Sequence, residues 1–223
     1  MATTKKATTK KQPIGEDQII TLYMNSVLER HQVPKNVFLF CKDNTISESD
    51  FYIHFGSFDS VKQSIWVKFL ENAVSTLEQD KAYAAYSNKN KLLSLYFTLF
   101  EILTLNRSYI LFSLKDNPEG LKNLMDLKKI RNRFKGFVSD IIESNATDAL
   151  PKIEKFTKPI FSEGAWIQFL FLLKFWMDDT SKGFEKTDII IEKSVTTVVD
   201  LLDTKPLESL IDLGKFLWSE RKS

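Results

Sequence analysis

Few residues in this sequence are suited to catalysis or metal binding. It contains two histidines, His31 and His54, and a single cysteine, Cys41. Neither a Gly-rich phosphate loop nor a cluster of metal ligands accompanies them, and no spacing pairs a nucleophile with a base. The adjacent acidic residues Asp178 and Asp179 are typical of a solvated helix end. We therefore expect no enzymatic activity, no metal site and no cofactor.

The overall charge is close to balanced. The 223 residues include 31 Lys and Arg against 29 Asp and Glu, so the molecule as a whole has no polybasic character. Any contact with nucleic acid must therefore depend on a basic segment or surface in one part of the protein. The single cysteine excludes an internal disulfide framework and fits a reducing compartment, which predicts a cytoplasmic location.

The N-terminus, MATTKKATTKKQP, is rich in Thr and Lys and lacks the apolar core of a signal peptide. It predicts a disordered basic arm over residues 1–15, with four lysines: Lys5, Lys6, Lys10 and Lys11. The longest apolar run, Trp166 to Met177, is shorter than the roughly 20 residues that a bilayer requires. We expect no membrane span.

Gly and Pro are scarce and no segment alternates strictly, which predicts an all-α protein. The apolar spacing predicts helices over residues 16–30, 36–43 and 47–55, and Ser57 can cap a long fourth helix. Longer, more apolar helices follow at about residues 92–105, 117–144 and 184–202. Pro151 and Pro159 are expected to bracket a short helix, with a separate helix beginning at Ser162 or Glu163. A proline near the start of the last helix, Pro206, suits its first turn.

Three short helices, the second and third joined by a tight Asn44-Thr45 turn, are what a helix-turn-helix requires. The residues Ile46-Ser47, then Phe51-Tyr52-Ile53-His54-Phe55, then Gly56-Ser57 resemble the signature of TetR-type bacterial repressors over roughly residues 16–70. The resemblance implies a DNA-binding domain at 16–70. It also implies a helical ligand-binding and dimerisation domain at 71–223.

The resemblance implies that Asn36 opens the first helix of the motif and Ser47 caps the recognition helix. It also implies that Tyr52 and His54 reach phosphate oxygens, although a half-buried aromatic and a surface histidine would look the same. Together with the local lysines and polar residues, the expected DNA-binding set is Lys35, Asn36, Ser47, Glu48, Ser49, Tyr52, His54 and Lys62.

Several residues depart from the family pattern. Thr45 replaces the turn glycine, so a left-handed backbone there would be strained unless the turn is built differently. Phe58 replaces a lysine. Cys41 stands where the family usually has a small alanine, so we expect a packed, unreactive thiol there. Residues 43–61 contain four acids and no Lys or Arg, which opposes phosphate binding. The acids are Asp43, Glu48, Asp50 and Asp59. Glu48 or Asp50 could accept a hydrogen bond from a cytosine amino group, with Lys35, Lys42, Lys62 and the basic arm neutralising phosphates.

The second bundle is rich in aromatic residues, which most often form only a core. Members of the TetR family commonly hold an apolar effector here. The expected ligand-binding residues are Phe97, Phe100, Phe137, Phe169 and Trp176.

Residues 175–195 are similar to the C-terminal segment of lipid-binding accessory proteins of ubiquinone biosynthesis, which share the TetR fold without acting as repressors. The alternative for this segment is a polar loop in which Asp and Thr side chains cap helix ends, and we favour it.

We thus expect a cytoplasmic TetR-like regulator that binds operator DNA as a homodimer, through helices at about 163–178 and 184–202, and responds to an apolar small molecule. The alternative is a TetR-fold lipid-binding or carrier protein that has lost DNA binding. The acidic motif favours this alternative, whereas the Tyr-x-His-Phe residues and the basic arm favour the regulator.

Overall fold

The computed structural model describes residues 14–116, 126–143 and 151–202, without the side chains of 142–143, 151–158 and 200–202. Within these ranges the chain forms helices and turns and no strand, which confirms the predicted all-α class. None of these helices combines the length and apolar character that a membrane crossing requires.

The chain divides into two compact units. As far as these ranges are described, one consists of Met1–Trp66 with Arg107–Lys128, and the other of Val67–Asn106 with Lys129–Ser223. Arg107–Lys128 thus groups with the N-terminal helices in this division, and the boundary at residue 70 stays a prediction. Of the predicted basic arm, residues 1–13 lie outside the described residues.

The first unit contains α1 (Glu16–Arg30), α2 (Val37–Asp43), α3 (Glu48–His54), the beginning of α4 (Phe58–Gln79), and α6 (Arg107–Leu111), which continues into a π-helical turn at Phe112–Asp116. The bounds of α1 to α4 agree with the predicted helices. Ser57 caps α4, because its hydroxyl oxygen accepts a hydrogen bond from the amide of Ser60 at 3.3 Å.

Aromatic rings fill the core of the first unit. Phe58 lies 5.6 Å from Phe40, 5.7 Å from Phe51 and 5.4 Å from Tyr23, between ring centroids. The phenylalanine that replaces the family's lysine therefore packs into this cluster. Cys41 is buried beside it, as expected, and burial, together with the charges of Glu48 and Asp50, raises the pKa of its thiol.

The second unit contains the rest of α4, then α5 (Asn88–Leu105), α7 (Lys128–Glu143) from Lys129 onward, α8 (Pro151–Asp178) and α9 (Glu185–Leu202). Single 3₁₀ turns lie at Tyr83–Ala85 and Lys182–Phe184. The predicted start of α7 at residue 117 and the predicted helix at Pro206 lie outside the described residues.

The predicted break at Pro159 is wrong, because α8 runs without interruption from Pro151 to Asp178. A proline inside a helix removes one backbone hydrogen bond and crowds the carbonyl four residues earlier, a cost that tertiary packing can offset. Just beyond Pro159, Ser162 and Ala165 are buried, and the Ser162 hydroxyl donates to the Pro159 carbonyl at 3.2 Å. Glu163 further ties α8 to α7 through ion pairs with Arg131, at 2.6 Å, and Lys135.

Candidate nucleic-acid interface

A tight turn joins α2 to α3. The amide of Ile46 donates to the Cys41 carbonyl at 3.0 Å, and the amide of Thr45 donates to the Lys42 carbonyl at 3.3 Å. This pair of hydrogen bonds is the Schellman motif, which places one residue in the left-handed conformation. That residue is Thr45, with φ of 58°, where glycine is the usual choice. Of the two alternatives that the sequence left open, Thr45 therefore adopts the left-handed backbone.

Side-chain caps define the first turns of both helices, as predicted. Asn36 Oδ1 accepts a hydrogen bond from the amide of Leu39 at 2.8 Å, and Ser47 Oγ accepts one from the amide of Asp50 at 3.0 Å. The Ser47 hydroxyl also lies 2.8 Å from the hydroxyl of Ser49. These contacts occupy Asn36 and Ser47 within the protein and fix where α2 and α3 begin.

The solvent-facing side of α3 combines polar and apolar groups. Glu48, Ser49, Tyr52 and Ile53 are exposed, with 53% of Tyr52 and 72% of Ile53 accessible. Phe51, on the opposite side, is fully buried. Sequence reasoning did not select Ile53, because an apolar residue beside Phe51 gives no sign of which side of the helix it occupies.

His54 is exposed, but its ring already has a partner within the protein. Its Nε2 lies 2.9 Å from the carbonyl oxygen of Ile14, the first described residue of the chain. A carbonyl can only accept, so Nε2 is the donor. The structure thus shows His54 bonded to the chain three residues after Lys11, the last lysine of the basic arm, an arrangement that the sequence did not predict.

The lysines near the motif differ in their surroundings. Lys35 and Lys42 are exposed. The side chain of Lys62 is only 11% exposed, and its Nζ lies 2.8 Å from Asp59 Oδ1 and 3.7 Å from Asp126 Oδ1. A buried ammonium requires such partners. Because the Lys62 ammonium faces these carboxylates, we remove Lys62 from the expected DNA-binding set.

The four acids of residues 43–61 are not all open charges. Asp43 pairs with Arg30 at 2.7 Å, and Asp59 pairs with Lys62. The other two, Glu48 and Asp50, lie in the first turn of α3. The positive end of a helix dipole favours acids at this position. The acidity of the motif is therefore partly accounted for by contacts that stabilise the fold.

The predicted ligand-binding residues lie in two kinds of environment in the second unit. Phe100, Phe169 and Trp176 are buried, and the centroid of Phe100 is 6.1 Å from each of the other two. The Trp176 indole donates to the Thr104 hydroxyl at 3.1 Å. Phe97 is 38% exposed and Phe137 is half-buried. The set is thus only partly brought together.

Three further aromatic side chains extend this buried group. Phe134 lies 5.5 Å from Phe169, 5.8 Å from Trp166 and 6.0 Å from Tyr96, between centroids. These rings pack on one another, which is typical of a core. A surface depression of about 470 Å³ at the end of α8 shares none of the five predicted residues. It is lined by Phe171, Lys174, Phe175, Asp178, Asp179, Thr180 and Lys186.

The loop between α8 and α9 is organised by Asp179. Its Oδ1 accepts from the amide and the hydroxyl of Ser181, at 2.8 and 2.7 Å, and its Oδ2 accepts from the amide and the hydroxyl of Thr187, at 3.0 and 2.7 Å. Burial alone would raise the pKa of Asp179, but these hydrogen bonds outweigh it and lower the pKa to about 2. The favoured alternative, a polar loop that caps helix ends, is confirmed.

The fold defines an all-α protein in which short N-terminal helices precede a bundle of longer ones. The sequence model of the family described as Tetracyclin repressor-like, C-terminal domain, matches residues 91–217, more than half of the chain. The chain therefore belongs to the tetracyclin repressor-like family. No curated protein matches it, and the similarity of residues 175–195 to accessory proteins of ubiquinone biosynthesis stays a prediction.

Proposed function

We propose that this protein is a DNA-binding transcriptional regulator that places α3 in the major groove of an operator. The observation that carries the proposal is the capped α2-turn-α3 unit, whose outer side presents Ser49 and Tyr52 to solvent. Hydroxyl groups of this kind donate to phosphates and to base edges. Membership in the tetracyclin repressor-like family supports the same function.

Phosphate neutralisation would come from cations beside α3, because the outer side of α3 itself carries no Lys or Arg. Lys35 immediately precedes the cap of α2, and Lys42 lies in the last turn of that helix. The four lysines of the basic arm add to these. Each phosphate contact would release counterions and steepen the salt dependence of binding.

We also propose a homodimer through α8 and α9. In the single chain, Ile160, Ile167 and Phe171 are exposed along one side of α8, and Ile189 is exposed on α9. Their spacing of seven and four residues makes the three α8 positions one apolar stripe. A second copy would cover this stripe in a two-fold interface and supply the second α3 that a two-part operator requires.

The second unit would bind an apolar small molecule that shifts the dimer between conformations with high and low DNA affinity. Its support is the aromatic interior around Phe100, Phe169 and Trp176, which offers almost no charge to pair with an ionic group. The ligand would either move apart the rings that contact one another or bind at the edge of this group. A cytoplasmic location completes the proposal.

Selection from random double-stranded DNA at low salt, followed by measurement of Kd for the enriched sequence, tests the proposed DNA binding. Tyr52→Ala should weaken binding, and Lys35→Ala should reduce the slope of log K against log salt by about 0.9. Lys182→Ala, an exposed lysine of the second unit, is the matched control. Failure to enrich any sequence, with no binding at low salt, would exclude the regulator.

One observation favours a second candidate, a carrier of an apolar molecule without DNA binding: the outer side of α3 carries Glu48 and no cation. A thermal-shift screen with fatty and isoprenoid compounds distinguishes the two. A compound present at a hundredfold excess over Kd stabilises the folded state by about 2.7 kcal/mol. In a regulator the same compound must change operator affinity, because coupling is reciprocal. A carrier would bind it without any DNA affinity.

A further inference from the structure

The outer side of α3 is centred on Ser49 and Ile53. Successive residues of an α-helix lie about 100° apart around its axis. Ser49 and Ile53 are each two positions from the fully buried Phe51, so each points about 160° away from it. They are also four positions apart, which places them on the same side of the helix. Within α3, these two residues therefore point most directly away from the core of the first unit.

The exposure of the side chains agrees with this geometry. Ile53 is 72% exposed, more than Tyr52 at 53%, and Ser49 is exposed as well. Among the described residues of the first unit, Ile53 is the most exposed large apolar side chain. An aliphatic group neither donates nor accepts a hydrogen bond, so it stabilises a complex only by covering another apolar group. The apolar group that Ile53 covers therefore indicates the chemistry of its partner.

Thymine presents such a group in the major groove of DNA. Adenine, guanine and cytosine offer hydrogen-bond donors and acceptors there, whereas thymine also offers its C5-methyl group. An aliphatic side chain placed against one of the other three bases would leave a donor or an acceptor without a partner. The branched Cβ of Ile53 restricts rotation about χ1, so contact with a methyl group costs the side chain little conformational freedom.

We propose that Ile53 is a specificity-determining residue, whose side chain contacts the methyl group of one thymine in each half of a two-part operator. This inference rests on the proposed DNA binding. It gives α3 a means of selecting a base although the helix contains no Lys or Arg. The thymine would lie beside the base pair that Ser49 faces, because Ser49 and Ile53 are neighbours on the same side of α3.

Replacing one thymine at a time by deoxyuridine in the enriched operator tests the proposal, because the change removes the methyl group and retains the base pair. At one position in each half of the operator, the replacement should weaken binding of the full-length wild type about fourfold, the factor that burial of one methyl-sized group supplies. Ile53→Ala should bind the thymine operator more weakly than wild type does. In this variant the same replacement should change Kd by less than about 1.5-fold, which completes a double-mutant cycle between side chain and methyl group.

Three further variants serve as comparisons. Ile53→Val retains a β-branched aliphatic side chain and should keep the sensitivity to deoxyuridine. Ile53→Asn replaces the aliphatic group with an amide, so selection with this variant should no longer enrich thymine at the sensitive position. Leu28→Ala, which shortens an exposed apolar side chain of α1, is the matched control and should leave the deoxyuridine effect unchanged. Because Ile53 is largely exposed, melting temperatures of its variants should stay close to that of wild type.

Two outcomes would overturn the inference while leaving DNA binding in place. If no single deoxyuridine replacement weakens wild-type binding, the protein does not recognise a thymine methyl group. If the sensitive replacement weakens wild type and Ile53→Ala by the same factor, another residue contacts the methyl group. A wild-type protein that enriches no sequence and binds no DNA at low salt would overturn the proposed function and this inference together.

Discussion

Asp179 and Thr187 form a double hydrogen bond in which one carboxylate oxygen accepts from both the amide and the hydroxyl of the threonine, at 3.0 and 2.7 Å. The second carboxylate oxygen does the same for Ser181. This single side chain therefore fixes both the loop after α8 and the first turns of α9. Because α8 and α9 also form the proposed dimer interface, the hydrogen bonds of Asp179 connect the two helices that a second copy would contact.

The first prediction is that Asp179→Ala lowers the free energy of unfolding by roughly 2–3 kcal/mol, since it leaves four donors without a charged acceptor. Urea-induced unfolding measures the change. The neighbouring Asp178→Ala is the control, because Asp178 is exposed and its ion pair with Lys174 one turn away is of a kind worth about 0.5 kcal/mol. Equal losses for the two variants would contradict the capping role.

The second prediction concerns acid. The pKa of Asp179 is about 2 in the folded protein against an ordinary value of 3.8. Its stabilising contribution is thus complete above about pH 4 and is lost as the pH falls through about 2. Asp188 acts in the opposite sense, because burial and the charge of Asp179 raise the pKa of its carboxyl.

The difference in unfolding free energy between wild type and Asp179→Asn measures the contribution of the Asp179 charge, including its smaller effect on the pKa of Asp188. It should be constant from pH 7 to 5 and shrink between pH 4 and 2.5. Chemical denaturation at a series of pH values provides the measurement. A difference that grows as the pH falls would show that the assigned direction of the pKa shift is wrong.

The third prediction is that Thr45→Gly stabilises the first unit by about 1 kcal/mol. A left-handed backbone costs a residue with a Cβ atom roughly 1–2 kcal/mol, partly offset by the greater freedom of glycine in the unfolded chain. Thr45→Ala retains the Cβ atom and should gain less. Melting temperatures of the three proteins test the order, and a glycine variant less stable than wild type would refute it.

The fourth prediction is that Ile167→Asp converts the proposed homodimer into monomers at micromolar concentration. Ile167 is 61% exposed on α8, so the substitution should leave the single chain folded, whereas a second copy would bury the new carboxylate twice. Analytical ultracentrifugation measures the change. Leu105→Asp, at a position that is 80% exposed on α5, is the matched control. Wild-type monomers, or an Ile167→Asp dimer, would refute the interface.

Local features of the structure were predictable from the sequence, because the interacting atoms are only a few residues apart. The caps at Asn36 and Ser47 depend on a side chain and an amide three residues later. The strained conformation of Thr45 follows from a turn of fixed length between two helices. Pro159 shows the limit of such reasoning, since packing overcame a local preference to end the helix.

The sequence by itself determined the helical class and most helix boundaries, because apolar spacing and capping residues are encoded within short segments. Only the tertiary structure decided which polar groups are available to a partner. It brought the buried Lys62 to Asp126, 64 residues away, and His54 to the carbonyl of Ile14, 40 residues away. A charge or ring exposed on an isolated helix acquires its partner only when distant segments pack, and periodicity along one helix contains no information about that partner.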